Sequence, residues 1–255
     1  MSGARWILRA AGLTDTGQKR EANEDAFALH TDEALFVVAD GMGGHVAGAE
    51  ASKLVVDLVS EHWRNKRPDA QPDPPALRDV SAALKQALVD VGEAFRHKAS
   101  TTPDLNGMGA TLVMLLFDGD RIHIAWGGDS RAYRLRRGKL EQLTADHTMV
   151  GALLREGAID PEAAKAHPAR NKLVNYVGMR GRPFEPELTA CAVALDDRYL
   201  LCSDGLTGMV DDTHIAAVLD SGVAAAQACK SLVARANEAG GKDNITAVII
   251  DVVRE

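Results

Sequence analysis

The chain has 255 residues, 46% of them hydrophobic and 25% charged, and its 29 basic and 36 acidic side chains give a formal net charge of −7. A chain this long buries roughly 70–75% of its unfolded surface, and its composition sits near the globular mean, which excludes wholesale disorder, collagen and coiled coil. The acidic balance argues against a broad nucleic-acid or anionic-membrane surface, because phosphate binding needs a basic footprint; a small basic pocket stays compatible with it.

Apolar period-2 stretches mark strands at 6–13, 26–30 and 35–39. Two helices follow. Ala51, Leu54, Val55, Leu58, Val59 and Trp63 form one apolar stripe, and Leu77, Val80, Leu84, Leu88, Val91 and Phe95 form the other. The Pro-rich stretch 68–75 between them reads as a helix–helix loop, not a domain boundary. Strands at 111–117, 122–126, 132–135 and 140–143 come next. Residues 147–186 are polar and mixed, an insertion able to sit as a flap over a site. Strands at 188–195 and 199–202, helices at 213–220 and 222–239, and a strand at 245–253 complete the chain. Asp118-Gly119-Asp120, Arg137-Gly138 and Asp196-Asp197 predict tight turns joining antiparallel pairs. The expected fold is one α+β domain over 1–255. Two antiparallel sheets between helical layers would hide both apolar faces of the strands, a four-layer αββα sandwich.

No run of about 18 apolar residues offers a membrane span. The start, MSGARWILRAAGLTDTG, lacks the apolar stretch and cleavage site of a signal peptide. Cys191, Cys202 and Cys229, an odd set without CxxC spacing, read as buried small hydrophobes in a reducing cytoplasm. Trp6, Trp63 and Trp126 fall on apolar faces and read as core. Arg131, Arg134, Arg136, Arg137 and Lys139 cluster on one hairpin and read as a solvated edge that resists strand addition.

The informative feature is where acidic residues sit. Asp40 ends the apolar strand ALFVVAD, Asp204 ends RYLLCSD, and Asp129 follows IHIAWGG. Asp243 opens the last strand, and Glu24-Asp25 precedes AFALH. One such Asp is ordinarily a turn former. Five acidic positions at core strand ends can converge on one edge of a sandwich, where they repel unless a cation compensates. Oxygen-only ligands point to a hard cation, Mg²⁺ or Mn²⁺. The glycines after Asp40 and Asp204 would let the backbone approach the ion, with the Gly41 carbonyl able to ligate it. Neither nucleotide-binding reading of the glycine-rich loop survives: G-x-G-x-x-G from Gly41 meets Val46, and G-x-x-x-x-G-K from Gly43 meets Ala49.

The ordered set RxxNED (20–25), VADGMGGHVAGAEAS (38–52), GMGATL (107–112), GDSRAY (128–133), LTADHT (143–148), HPARN (167–171), LLCSDGLTGMV (200–210) and GGKDNIT (240–246) resembles the protein phosphatase 2C family, in its bacterial type. Each motif is weakly specific, but eight in order are very specific, and they run from about residue 12 to 252. The resemblance implies metal-dependent hydrolysis of phosphoserine and phosphothreonine in proteins, opposite a cognate bacterial Ser/Thr kinase in signalling. It implies an αββα sandwich with two Mn²⁺ or Mg²⁺ ions at one end. Asp40 would bridge both ions, with the Gly41 carbonyl on the first and Asp204 and Asp243 on the second. Glu24 and Asp25 would hold metal-bound waters, and Asp129 would share a third, weaker ion with Asp204. Arg20 would clamp the substrate phosphate, and the flap at 147–186 would bear on substrate choice. Attack would come from a hydroxide bridging the two ions, so no Ser, Cys or His nucleophile is needed.

One departure stands out. Animal members carry a His two residues after the bridging Asp; here that residue is Met42. His45 could transfer a proton or only pack locally, and a metal-bound water could protonate the leaving group instead. Arg20 has a structural alternative too, an ion pair with Glu24 or Glu21. A non-hydrolysing phosphoprotein binder would lack core acidic positions, and none is missing; a bare cation-binding module would have no need of Arg20. A cytoplasmic monomer acting on phosphorylated proteins, with no nucleic-acid or membrane partner, is the expectation.

Overall fold

In the computed structural model, residues 6–44, 46–66, 79–102 and 107–254 are described. His45, the stretch 68–75 and Leu77 therefore lie outside the described residues. The chain opens with β1 (Trp6–Asp15), β2 (Asp25–His30) and β3 (Leu35–Met42), followed by the long helices α1 (Val46–Lys66) and α2 (Val80–Thr101). Strands β4 (Gly109–Ala110), β5 (Leu112–Asp118), β6 (Arg121–Gly127), β7 (Arg131–Arg136) and β8 (Lys139–Gln142) come next. Short helices α3 (Met149–Arg155) and α4 (Pro161–Lys165) lie in the flap. The chain closes with β9 (Glu187–Ala192), β10 (Arg198–Cys202), α5 (Asp204–Thr207), α6 (Asp212–Leu219), α7 (Ala225–Glu238) and β11 (Ile245–Arg254).

The strands form two antiparallel sheets. One runs β1-β11-β10-β7-β8; the other runs β2-β3-β5-β6-β9, with β4 on β3. Strand alternation divides the core into three layers. Leu35, Val37 and Ala39 face α1 and α2, together with Leu112, Met114 and Leu116. Phe36, Val38, Val113 and Leu115 face the other sheet, against Tyr199, Leu201, Val248 and Ile250. Leu200, Cys202, Ala247 and Ile249 face α6 and α7. Strands buried on both faces are apolar at every position, which is why these stretches read as continuous runs. The four layers are αββα, as expected. Trp63 and Trp126 are buried, and Trp6 packs partly buried on the inter-sheet core.

Two of the three predicted turns close hairpins. Asp118 pairs with Arg121, and Arg136 with Lys139. In the second, Arg137 and Gly138 both have positive φ, 53° and 73°, the twist-matched two-residue turn. Asp196-Asp197 corrects the expectation. It joins β9 to β10, which lie in different sheets, so it is a crossover and not a hairpin. Asp197, 1% exposed, anchors the crossing: its carboxylate accepts from Arg136 Nε and Nη2 (both 2.6 Å), Tyr199 Oη (2.9 Å) and the Ala194 amide (2.8 Å). The basic hairpin is likewise less solvated than its composition suggests. Arg136 pairs with this buried carboxylate, and Arg131 turns inward, as described below.

Candidate metal centre

The loop ends at one edge of the sandwich gather the predicted acidic residues. Asp25 and Asp40 are cross-strand partners on β2 and β3. Beyond Asp40, β3 exchanges partners from β5 to β4 at Thr111, whose hydroxyl accepts from the Asp40 amide (2.9 Å) while its own amide donates to the Asp40 carbonyl (2.8 Å). The Thr111 hydroxyl also meets Ser130 Oγ at 2.7 Å, tying the β3 end to the turn that carries Asp129. Asp204 is the first residue of α5, after the extended Ser203. Asp243 accepts from the amide of Asn244 (2.8 Å), which leads into β11.

Asn244 is the scaffold among these segments. Its Oδ1 accepts from the Glu24 amide (2.8 Å), and its Nδ2 donates to the carbonyls of Thr16 and Ala22 (both 2.9 Å). Sequence reasoning quoted Asn244 only as a motif letter; an amide satisfied at both ends is legible only in three dimensions. The same holds for Ser203 and Thr246, whose hydroxyls donate to Asp25 Oδ2 at 2.7 and 2.6 Å. Asp25 Oδ1 is buried and has no hydrogen-bond partner.

Burial and mutual repulsion set the electrostatics. Burial, then Asp25, Asp204, Asp129 and Asp243, holds the Asp40 carboxyl well above the ordinary range. Burial raises Asp25 to about 7 against its two hydroxyl donors. Burial, with Asp204 and Asp146, raises Asp129 to about 8. Asp204 is raised by burial and Asp243, and is hydrogen-bonded to Asp40. Arg20 Nη2 donates to Asp243 Oδ2 at 2.7 Å, and Glu24 and Asp40 also act electrostatically on its guanidinium. The carboxylates interact but do not yet form a cage. Among the described residues, no three His, Cys, Asp or Glu side chains stand close enough together to hold an ion as they are. Other partners hold these groups: Asp243 is drawn to Arg20, and Asp25 is held by hydroxyls. The donor set nevertheless suits a hard divalent cation. It is all oxygen, it is electrostatically strained without a counter-charge, and it includes an orphaned buried carboxylate oxygen.

The glycines have a packing reason besides the one expected. A Cβ at Gly41 would lie 1.9 Å from the Gly48 carbonyl oxygen, and one at Gly205 would lie 2.0 Å from that of Asn244. The close approach is between protein backbones, so these glycines pack the frame of the site. A Cβ at Gly48 would strike Glu24 Oε2, which places the Glu24 carboxylate against the start of α1.

A cleft of about 600 Å³ runs beside the cluster, between the flap and α5. Asp129, Asp204, Asp243, Arg170 and Lys242 line it, with Val150 and Leu154 of α3. Arg131, read from sequence as solvated, reaches this wall and grips Asp146 through two hydrogen bonds of 2.8 and 2.6 Å.

Against this geometry, comparison with known proteins is direct. The family model described as Protein phosphatase 2C matches residues 16–245. The chain belongs to the protein phosphatase 2C family. It is 39% identical over 247 residues to the serine/threonine protein phosphatase PstP of Mycobacterium tuberculosis, covering 97% of this chain and 45% of that protein. The chain thus spans less than half the length of that relative. The serine/threonine phosphatase stp of Listeria welshimeri is 36% identical, over 96% of both chains. The crystal structure of the catalytic domain of PstP in complex with two manganese ions superposes with a TM-score of 0.83 at 38% identity, covering 98% of this chain and 100% of that one. The αββα frame of this chain is therefore that of a bacterial serine/threonine protein phosphatase of the 2C family.

Proposed function

We propose that this chain hydrolyses phosphoserine and phosphothreonine in proteins. The observation that carries this reading is the acidic set Asp25, Asp40, Asp129, Asp204 and Asp243, drawn to one edge of the sandwich with Arg20 beside it, the first four largely withdrawn from water and Asp243 at the rim. Asp40, the Gly41 carbonyl, Asp204 and Asp243 would hold two divalent cations, Mn²⁺ or Mg²⁺. Asp129 with Asp204 would take a third, weaker ion. When bound, the cation pair supplies a hydroxide nucleophile near neutral pH and stabilises charge on the phosphoryl oxygens.

The chain's own groups do the rest. Arg20 uses one of its five donors on Asp243, leaving others to orient the phosphoryl oxygens in a fork that lysine cannot reproduce. Its half-exposed side chain, 48% accessible, can reach a substrate arriving from solvent. Asp25, with Oδ2 fixed by two hydroxyls, offers Oδ1 as an acceptor toward the cation site; Glu24 is set beside it. The cleft under the flap would take the peptide around the phosphorylated residue. A cognate bacterial Ser/Thr kinase is the functional opposite. No helix among the described residues is long and apolar enough to cross a membrane, and the three cysteines are unpaired, which supports a cytoplasmic site of action.

Hydrolysis of p-nitrophenyl phosphate with and without Mn²⁺ tests the reading. Activity should require the metal, and Asp40→Asn should lose about three or more orders of magnitude while staying folded, in line with removal of a central charge-stabilising group. Asp129→Ala should keep binding at the paired site by calorimetry and turn over more slowly. Undiminished wild-type activity in excess chelator would refute the metal mechanism.

A further inference from the structure

Hydrogen bonds from separate chain segments converge on His147, a residue the mechanism above does not use. The His147 amide donates to the Gly128 carbonyl (2.9 Å), and the Gly128 amide donates back to His147 Nδ1 (3.3 Å). On the returning limb of the flap, the Val174 amide donates to the His147 carbonyl (2.8 Å). Asn175 Nδ2 lies 3.1 Å from His147 Nδ1 and also donates to the Glu185 carbonyl (2.7 Å). The ring is buried, 2% exposed, and stacks on Trp126 with centroids 6.1 Å apart.

Two N–H donors aimed at Nδ1 require that nitrogen to be a bare acceptor, so the network assigns the proton to Nε2. Nε2 is buried without a well-aligned acceptor, although Glu187 Oε1 lies 3.1 Å away. Burial also lowers the basicity of the ring, in keeping with a neutral imidazole. Behind this knot opens a cavity of about 550 Å³ lined by Lys85, Val89, Arg155, Asn175 and Glu187. Packing there does not stand in for the hydrogen bonds, which tie residues 174 and 175 of the limb to the Gly128 turn, whereas Val177 and Phe184 hold it further along by other contacts.

We propose that His147 is a positioning residue: its bare Nδ1 ties the returning limb of the flap to the Gly128 turn, and so fixes where the flap stands relative to Asp129 and the cleft. The inference rests on the reading of that cleft as a phosphatase site. A phosphopeptide that lies along the cleft would feel the flap's position, whereas a small aryl phosphate would not.

The test uses two isosteric replacements. In His147→Asn the side-chain carbonyl falls where Nδ1 stands; in His147→Gln it falls near Nε2 instead. Steady-state kinetics on a phosphothreonine peptide and on p-nitrophenyl phosphate are read beside hydrogen exchange of the flap amides, Val174 above all. His147→Asn should stay within about threefold of wild type in every measurement. His147→Gln should raise the peptide KM about tenfold or more, leave p-nitrophenyl phosphate turnover within about threefold, and speed Val174 exchange about tenfold. Asn175→Ala, at a less buried position, should repeat the peptide KM and exchange effects even if the Gln variant is poorly folded. Equal behaviour of the Asn and Gln variants, with Asn175→Ala like wild type, would overturn the assignment. Should wild type with Mn²⁺ hydrolyse neither substrate, the phosphatase reading fails, and the exchange comparison still decides the role of His147.

Discussion

Burial and four neighbouring carboxylates hold the Asp40 carboxyl far above its ordinary range, and Asp25 and Asp129 are lifted to about 7 and about 8. These are acids whose folded values exceed their unfolded ones. The folded chain keeps protons that the unfolded chain has released, so their contribution is greatest near the ordinary carboxylate range of about 4 and is lost as pH rises through about 8. In excess chelator, the melting temperature should therefore fall between pH 6.5 and 8.5. The lowered values of His30, His123 and His147 act in the opposite sense and chiefly below that window. Saturating Mn²⁺ should abolish or reverse the fall, because a cation replaces the protons. Calorimetry at the two pH values decides this; a flat chelated profile would show that the cluster does not carry the strain assigned to it. The position of these residues was legible in sequence, since each flanks a recognisable strand. Their repulsion was foreseeable too. The network that holds Asp25 and the ion pair of Arg20 with Asp243 was not, because Ser203, Thr246 and Asp243 lie more than 170 residues from their partners in the chain.

At the level of elements, the stretch 147–186 between β8 and β9 was legible only in outline. Its limits were visible where strand periodicity lapses after residue 147. Its anchoring was not. Val177 is fully buried and bridges Ala110, and Phe184, 3% exposed, fills the space above two glycines. A Cβ at Gly92 would lie 2.9 Å from Phe184 Cβ, and one at Gly127 would lie 2.2 Å from Phe184 Cε2. The returning limb is thus stapled to α2 and β6. Phe184→Ala should cost about 3–5 kcal/mol, the usual range for truncating a buried Phe, read from the urea midpoint. An unchanged midpoint would mean that Phe184 is not part of this core. The Asp196-Asp197 turn failed for a related reason: a pair of aspartates between apolar runs has the local chemistry of a hairpin, but the choice of sheet is made by Arg136 and Tyr199 gripping Asp197.

For the molecule as a whole, the three apolar layers make every strand depend on its neighbours. β1 is an edge strand, and its ten residues pair along the full length of β11. Deleting residues 6–15 would expose the unpaired edge of β11, whose residues from Ile245 to Ile250 are all buried. Such an edge invites association. The truncated chain should elute as aggregate by size exclusion and lack a cooperative melt, although the whole family match at 16–245 is retained; a monomeric, cooperatively melting product would show that the edge is expendable. The sequence alone determined the αββα layering, because side-chain alternation and helical stripes are short-range signals that report which faces need burial. It also singled out the acidic set, because the aspartates stand at the ends of recognisable apolar strands. Only the tertiary structure decided which sheet each strand joined, why Gly41 and Gly205 must be glycine, and how the carboxylates divide their hydrogen bonds. These depend on groups far apart in the chain meeting at fixed distances, and no local pattern encodes that separation.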